Sequence, residues 1–203
     1  MVTEINKNMK SDIIEELNVS WGEHKSYREL LDVAKRYAVE KLGEGSSRIV
    51  FDLGGNKCLK IAKNKFGTAQ MKAECDVSEE NVPIFSKVYE YDDEYFIWEV
   101  CELCREANVD DFREILGVDF NMIVNKIEER VYSFYEDNWE EEDAEFQKHP
   151  EAVEFIDELV DAIQLYSLEG FDLEMLQNYG VSADGTIKVI DYGLNPDSYD
   201  EIQ

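Results

Sequence analysis

Residues 43–62 read Gly43-Glu44-Gly45-Ser46-Ser47-Arg48-Ile49-Val50-Phe51-Asp52-Leu53-Gly54-Gly55-Asn56-Lys57-Cys58-Leu59-Lys60-Ile61-Ala62. Ser47 to Phe51 and Lys57 to Ala62 are short β-type runs, and Gly54-Gly55-Asn56 between them supplies residues suited to a tight hairpin turn. Two strands are expected to meet there. On the N-terminal side the period is helical: Ile13, Ile14 and Leu17 space one apolar face, and Leu30, Leu31, Ala34, Tyr37 and Leu42 another. Ser26, with Glu29 three residues on, has the pattern of a helix cap.

On the C-terminal side a helix is expected after Gly67 through Ala69, Met71, Ala73 and Cys75, carrying Glu74 and ending at Asn81 to Pro83. A strand pair, Ile84 to Tyr91 and Tyr95 to Glu102, turns at Asp92-Asp93. Helical periodicity then dominates near 109–117, 120–137 and 151–168, until Gly170. Two last strands, near Gly180-Val181 and Ile187 to Ile190, hinge on Ala183-Asp184-Gly185. A strand-rich half precedes a helix-rich half, which makes the class α+β.

The chain has 203 residues, 44% of them hydrophobic, enough for one sizeable core or two small lobes. Its 20 Lys and Arg against 47 Asp and Glu give a net charge of −27, which disfavours long-range attraction to nucleic acid or an anionic membrane and favours basic partners. No stretch approaches the roughly 20 apolar residues of a spanning helix, and Met1 to Asn8 lacks the apolar core of a secretion signal. A cytoplasmic location is expected. Cys101 and Cys104 form a CxxC, but with His24 and His149 distant the zinc set is incomplete, and Cys58, Cys75, Cys101 and Cys104 read as small buried hydrophobes.

Four separated fragments carry chemistry in a defined order: Gly43-Glu44-Gly45, Leu59-Lys60-Ile61, Asp172-Leu173 followed by Asn178, and Asp191-Tyr192-Gly193. With this succession of strands and helices, the chain resembles the protein-kinase-like fold over about residues 40–195, and more closely the small kinase-like proteins encoded by bacteriophages. The resemblance implies a truncated two-lobed fold: a helical extension over 1–41, a strand lobe with one helix over 42–103, and a reduced helical lobe over 104–203. It implies ATP and Mg²⁺ as ligands, in the cytoplasm of a host cell if the chain is phage-encoded.

The resemblance assigns residues as follows. Gly43, Gly45 and Val50 belong to a hairpin that closes over phosphates, with Arg48 standing where a third glycine belongs, placed to contact a phosphate or fold back on an acidic residue. Lys60 pairs the α and β phosphates, with Glu74 as its helix carboxylate and Glu79 and Glu80 as fallbacks. Glu99, Val100 and Cys101 lead into a hinge whose backbone meets an adenine edge. Asp172 orients and deprotonates an acceptor hydroxyl. Asn178 and Asp191 hold the metal, although Asn178 falls one residue late, Gln177 occupies the family spacing, and Gly170-Phe171 replaces His-Arg.

Ten residues follow Gly193, where full-length protein kinases carry an activation segment and further helices. The acceptor is accordingly expected to be a small molecule, the protein itself or a partner recognised by other surfaces. A non-catalytic pseudokinase is the alternative. A third expectation is an acidic inhibitor, DNA-mimic-like, whose segment Tyr135 to Glu145 packs Glu136, Asp137, Glu140, Glu141, Glu142, Asp143 and Glu145 around Trp139. It would dock on a basic host defence or nucleic-acid-binding protein.

Overall fold

A computed structural model describes residues 12–18, 26–132 and 144–192. Contacts group the chain into two units, Met1–Lys72 with Lys87–Leu103, and Ala73–Ser86 with Cys104–Gln203.

The first unit holds helices α1 (12–18) and α2 (Tyr27–Tyr37) and strands β1 (Glu40–Glu44), β2 (Arg48–Asp52) and β3 (Lys57–Ala62). Helix α3 (Lys65–Glu79) starts in it and ends in the second unit, and β4 (Val88–Tyr91) and β5 (Trp98–Glu102) complete it. The β2–β3 hairpin turns where expected, with φ of 71° at Gly54, 60° at Gly55 and 59° at Asn56. Five strands form one antiparallel sheet in the order β1-β2-β3-β5-β4. Alternate side chains of the inner strands, Ile49, Phe51, Leu59, Ile61, Trp98 and Val100, form a core with Ile13 and Leu17 of α1 and Leu30, Val33 and Ala34 of α2. At the start of α2 the Ser26 N–H donates to Glu29 Oε2 at 2.7 Å.

Two expected helix boundaries move. Leu42 does not continue α2: Val39 N–H already donates to the Asp52 carbonyl at 2.8 Å, so the chain has joined the sheet. Leu42 then falls at a register shift between Lys41 and Gly43 and is 43% exposed. Helix α3 starts before Gly67, because Asn64 Oδ1 accepts from the Phe66 and Gly67 N–H groups at 3.1 and 3.2 Å and caps it. Gly67 sits inside the helix because a Cβ there would stand 2.3 Å from the Ser47 carbonyl oxygen.

The second unit contains β6 (Arg105–Glu106), α4 (Val109–Ile115), α5 (Phe120–Tyr132), α6 (Pro150–Tyr166), β7 (Tyr179–Val181) and β8 (Ile187–Val189), with short 3₁₀ turns at Phe146–Lys148, Gly170–Glu174 and Leu176–Asn178. Strands β6-β7-β8 form a small antiparallel sheet. The run expected as one strand from Ile84 divides: Phe85 bridges Val189, whereas pairing with β5 begins only at Val88. Arg105 anchors β6 to α4 through a fork on Asp111, Nη1 at 2.7 Å and Nη2 at 2.5 Å, which holds that carboxyl down at about 2. Helix α6 stops at Ser167, which is left-handed at φ 53°. The core gathers Phe112, Phe120, Phe155 and Tyr179 with the apolar faces of α5 and α6.

Candidate functional site

Register decides which residues of the first sheet share a face. Gly43 lies opposite Val50, Val50 opposite Lys60, Lys60 opposite Glu99 and Glu99 opposite Tyr91, a single row across all five strands. Side chains alternate along a strand, so Arg48 and Cys101, each two residues from a member of that row, point the same way. This is the face opposite the one packed on α1 and α2. Gly43, Arg48, Val50, Lys60, Glu99 and Cys101, named from separate fragments, therefore share one side of one sheet.

Lys60 Nζ lies 3.2 Å from Glu99 Oε1, with side chains 8% and 0% exposed. Glu99 was expected to offer its backbone to a base, with Val100 and Cys101. Strand β5 is interior, flanked by β3 and β4, so its backbone groups serve the ladders and no edge is open there. The chain leaves this sheet after Glu102, with Leu103 N–H on the Asn56 carbonyl at 3.0 Å. The side chain of Glu99 is what sequence reasoning missed. A signal existed: Glu99 interrupts the apolar run Ile97-Trp98-Val100-Cys101 as Lys60 interrupts Leu59-Ile61-Ala62. Of the helix carboxylates expected for Lys60, Glu74 is fully buried and belongs to the second unit, while Glu79 and Glu80 are exposed.

The β1–β2 turn is held from one side. Lys63 Nζ donates to the Gly45 carbonyl at 2.9 Å, Asn64 Nδ2 to the Ser46 carbonyl at 3.0 Å and Lys63 N–H to the Ser47 carbonyl at 2.7 Å. In a trans peptide the N–H points away from the preceding carbonyl, so the Ser46 and Ser47 N–H groups face away from Lys63 and Asn64. Successive N–H groups turned one way form a concavity suited to an anion. Glu44 steadies the turn: Lys41 Nζ at 2.6 Å and Lys63 Nζ at 2.7 Å bind its carboxylate and hold it down at about 2. Neither glycine is demanded by the chain itself. A Cβ at Gly43 would meet nothing within 4 Å, one at Gly45 only the Arg48 carbonyl oxygen at 3.9 Å, and neither has a positive φ. Arg48 is buried at the start of β2, opposite Ala62.

In the second unit two 3₁₀ turns shape the loop after Gly170. The buried Asn178 donates from Nδ2 to the Asp172 carbonyl at 2.6 Å, whereas Gln177 is exposed and reaches only Met175 Sδ at 3.8 Å. Of the two, it is Asn178 that closes the loop on Asp172. Leu173 is buried beneath, its carbonyl taking the Tyr179 hydroxyl at 2.5 Å. Ile190 N–H donates to the Asn178 carbonyl at 2.8 Å, which brings the exposed Asp191 just beyond it. Tyr192 anchors that segment, with its ring 4.4 Å from Phe85 and its hydroxyl 3.4 Å from the Glu74 carbonyl. Asp172, Asn178 and Asp191 are thereby collected at one end of β7 and β8.

Gly193 and the acidic run from Tyr135 to Asp143, with Trp139, lie outside the described residues. Glu145 is exposed and pairs with Lys148. All four cysteines are buried, as expected. No helix among the described residues is long and apolar enough to cross a membrane. Neither protein-family models nor curated proteins match the chain.

Proposed function

We propose that this chain is a kinase-like protein of the minimal, phage-encoded type that binds Mg-ATP, its sheet unit corresponding to the strand lobe and its helical unit to a reduced second lobe. The observation that carries the proposal is the row Gly43, Val50, Lys60: a glycine without packing duty, a β-branched residue and a buried lysine, side by side on three adjacent strands. A hairpin glycine followed by a lysine on the third strand is the arrangement with which protein kinases cover and pair the phosphates.

The residues present fit the ligands. The turned N–H groups of Ser46 and Ser47 and the ammonium of Lys60 suit phosphate oxygens. The amide oxygen of Asn178 and the carboxylate of Asp191 are hard donors suited to Mg²⁺. Mg²⁺ taken up with ATP would neutralise phosphate charge. Asp172, whose own carbonyl is fixed by Asn178, would accept the proton of an acceptor hydroxyl. Phe171 stands where the resemblance calls for arginine and is 59% exposed. That favours a second reading, a pseudokinase that binds nucleotide without transferring it.

Gly43→Ala separates ligand duty from fold duty. The Cβ meets open space in extended backbone, so stability is expected to hold or rise by about 0.4–1 kcal/mol. Affinity for a fluorescent ATP analogue is expected to fall by about tenfold or more, because a phosphate can no longer approach the backbone. Unchanged affinity, or a wild-type protein that binds no analogue, contradicts the proposal.

A further inference from the structure

Three successive carbonyls of the β1–β2 turn accept from two consecutive residues at the junction of β3 and α3. Gly45 takes Lys63 Nζ at 2.9 Å, Ser46 takes Asn64 Nδ2 at 3.0 Å and Ser47 takes the Lys63 N–H at 2.7 Å. Helix α3 adds a further hold, since the Ser47 hydroxyl donates to Oε1 of the buried Gln70 at 2.6 Å. We propose that Lys63 and Asn64 are positioning residues that strap this turn into its phosphate-receiving form before any phosphate arrives. The inference rests on the Mg-ATP proposal above and names the residues that preset its phosphate turn.

Lys63 is not placed as a phosphate ligand itself. Its ammonium lies on the carbonyl side of the turn, where it bonds Gly45 and, at 2.7 Å, Glu44 Oε1. The Glu44 carboxylate, which Lys41 Nζ also holds at 2.6 Å, compensates its charge. The Ser46 and Ser47 N–H groups face the other way. Lys63 therefore acts on a ligand through the turn. A loop left free must be ordered when its ligand binds, and that ordering subtracts from affinity. Anchoring the carbonyls moves the cost to folding, so the N–H groups are turned out in advance. Asn64 serves both neighbours: Nδ2 holds Ser46 while Oδ1 caps α3. The strap and the first turn of α3 are thus set by one side chain.

The test uses the full chain, ¹⁵N-labelled, and follows the Ser46 and Ser47 amide signals without ligand, with a non-hydrolysable ATP analogue, and with inorganic triphosphate. In wild type both amides are expected to be as ordered as the flanking strands and to shift with either probe. Lys63→Met keeps the backbone bond to Ser47 and removes the side-chain holds. Asn64→Ser keeps a capping oxygen, removes the amide donor and changes no charge. Each variant is expected to make the two amides mobile in the free protein and to weaken the analogue by about three- to tenfold, with little change in thermal midpoint. A purely stabilising role would instead move the midpoint and leave the amides ordered. In either variant, ordered amides or unchanged affinity overturn the assignment of that residue. A wild type that binds the analogue without shifting either amide overturns the strap and leaves the Mg-ATP proposal. One that takes triphosphate at both amides but no ATP analogue refutes Mg-ATP and leaves the strap; one that takes neither probe overturns both.

Discussion

Glu99→Ala is expected to lower the free energy of unfolding by about 3–5 kcal/mol, the usual effect of removing one partner of a buried ion pair. Glu99 is wholly buried and Lys60 nearly so, hence water cannot take over the role of the lost carboxylate. The cavity left by the side chain adds to the loss. Lys60→Met in the Glu99→Ala background is expected to recover part of it, since an apolar chain of similar length removes the charge that lost its cross-strand partner. Denaturant titration of the two single variants and the double variant gives the coupling directly. A Glu99→Ala protein within about 1 kcal/mol of wild type shows that Lys60 does not depend on Glu99.

Tyr179→Ala carries the second large effect, about 3–5 kcal/mol for an aromatic residue removed from a packed interior. Tyr179 is completely buried, with its ring 5.5 Å from Phe112, 5.6 Å from Phe120 and 6.3 Å from Phe155. Its hydroxyl holds the Leu173 carbonyl, next to Asp172. Tyr179→Phe keeps the ring and strands that carbonyl, at a cost of about 1–3 kcal/mol. Burial pushes the phenol far above its ordinary value of 10.0, with Glu174 adding to the shift. A folded-state value raised in this way means the stabilisation is complete below about pH 10 and falls as pH rises beyond it, because only the unfolded phenol ionises readily. The Phe variant should lose stability less steeply there than wild type. Equal slopes for the two proteins would assign the alkaline loss to other groups.

The parts of the fold legible in the sequence are those decided locally. Gly54-Gly55-Asn56 needs only its own positive φ angles to turn the β2–β3 hairpin, and α2, α4 and α6 carry their own apolar spacing. What was not legible depends on distant partners. Strand β1 is exposed along nearly its whole length, so it has no alternation to read, and it exists because β2 offers it a ladder. Strand β6 is two residues long and is placed by Arg105 on Asp111. Gly67 read as a helix boundary, whereas its reason for being glycine is a carbonyl twenty residues earlier, that of Ser47.

The candidate site divides the same way. Gly43, Val50 and Lys60 were named from the resemblance to a glycine loop followed by a strand lysine, and their place in one row comes from the register of β1, β2 and β3. The pairing of Lys60 with Glu99 needs the register of β3 against β5, which no local signal sets. By spacing Gln177 takes the family position and Asn178 falls one residue late. Two successive 3₁₀ turns, Gly170–Glu174 and Leu176–Asn178, accommodate the extra residue and deliver Asn178 to the Asp172 carbonyl.

Mg-ATP binding is tested most directly by calorimetric titration of the purified protein with a non-hydrolysable ATP analogue, with and without Mg²⁺ and in parallel on Asp191→Ala. Metal-dependent binding in the micromolar range, about 8 kcal/mol, is predicted for wild type, with the metal dependence lost in the variant. No binding at millimolar analogue, or binding indifferent both to Mg²⁺ and to Asp191, would contradict it.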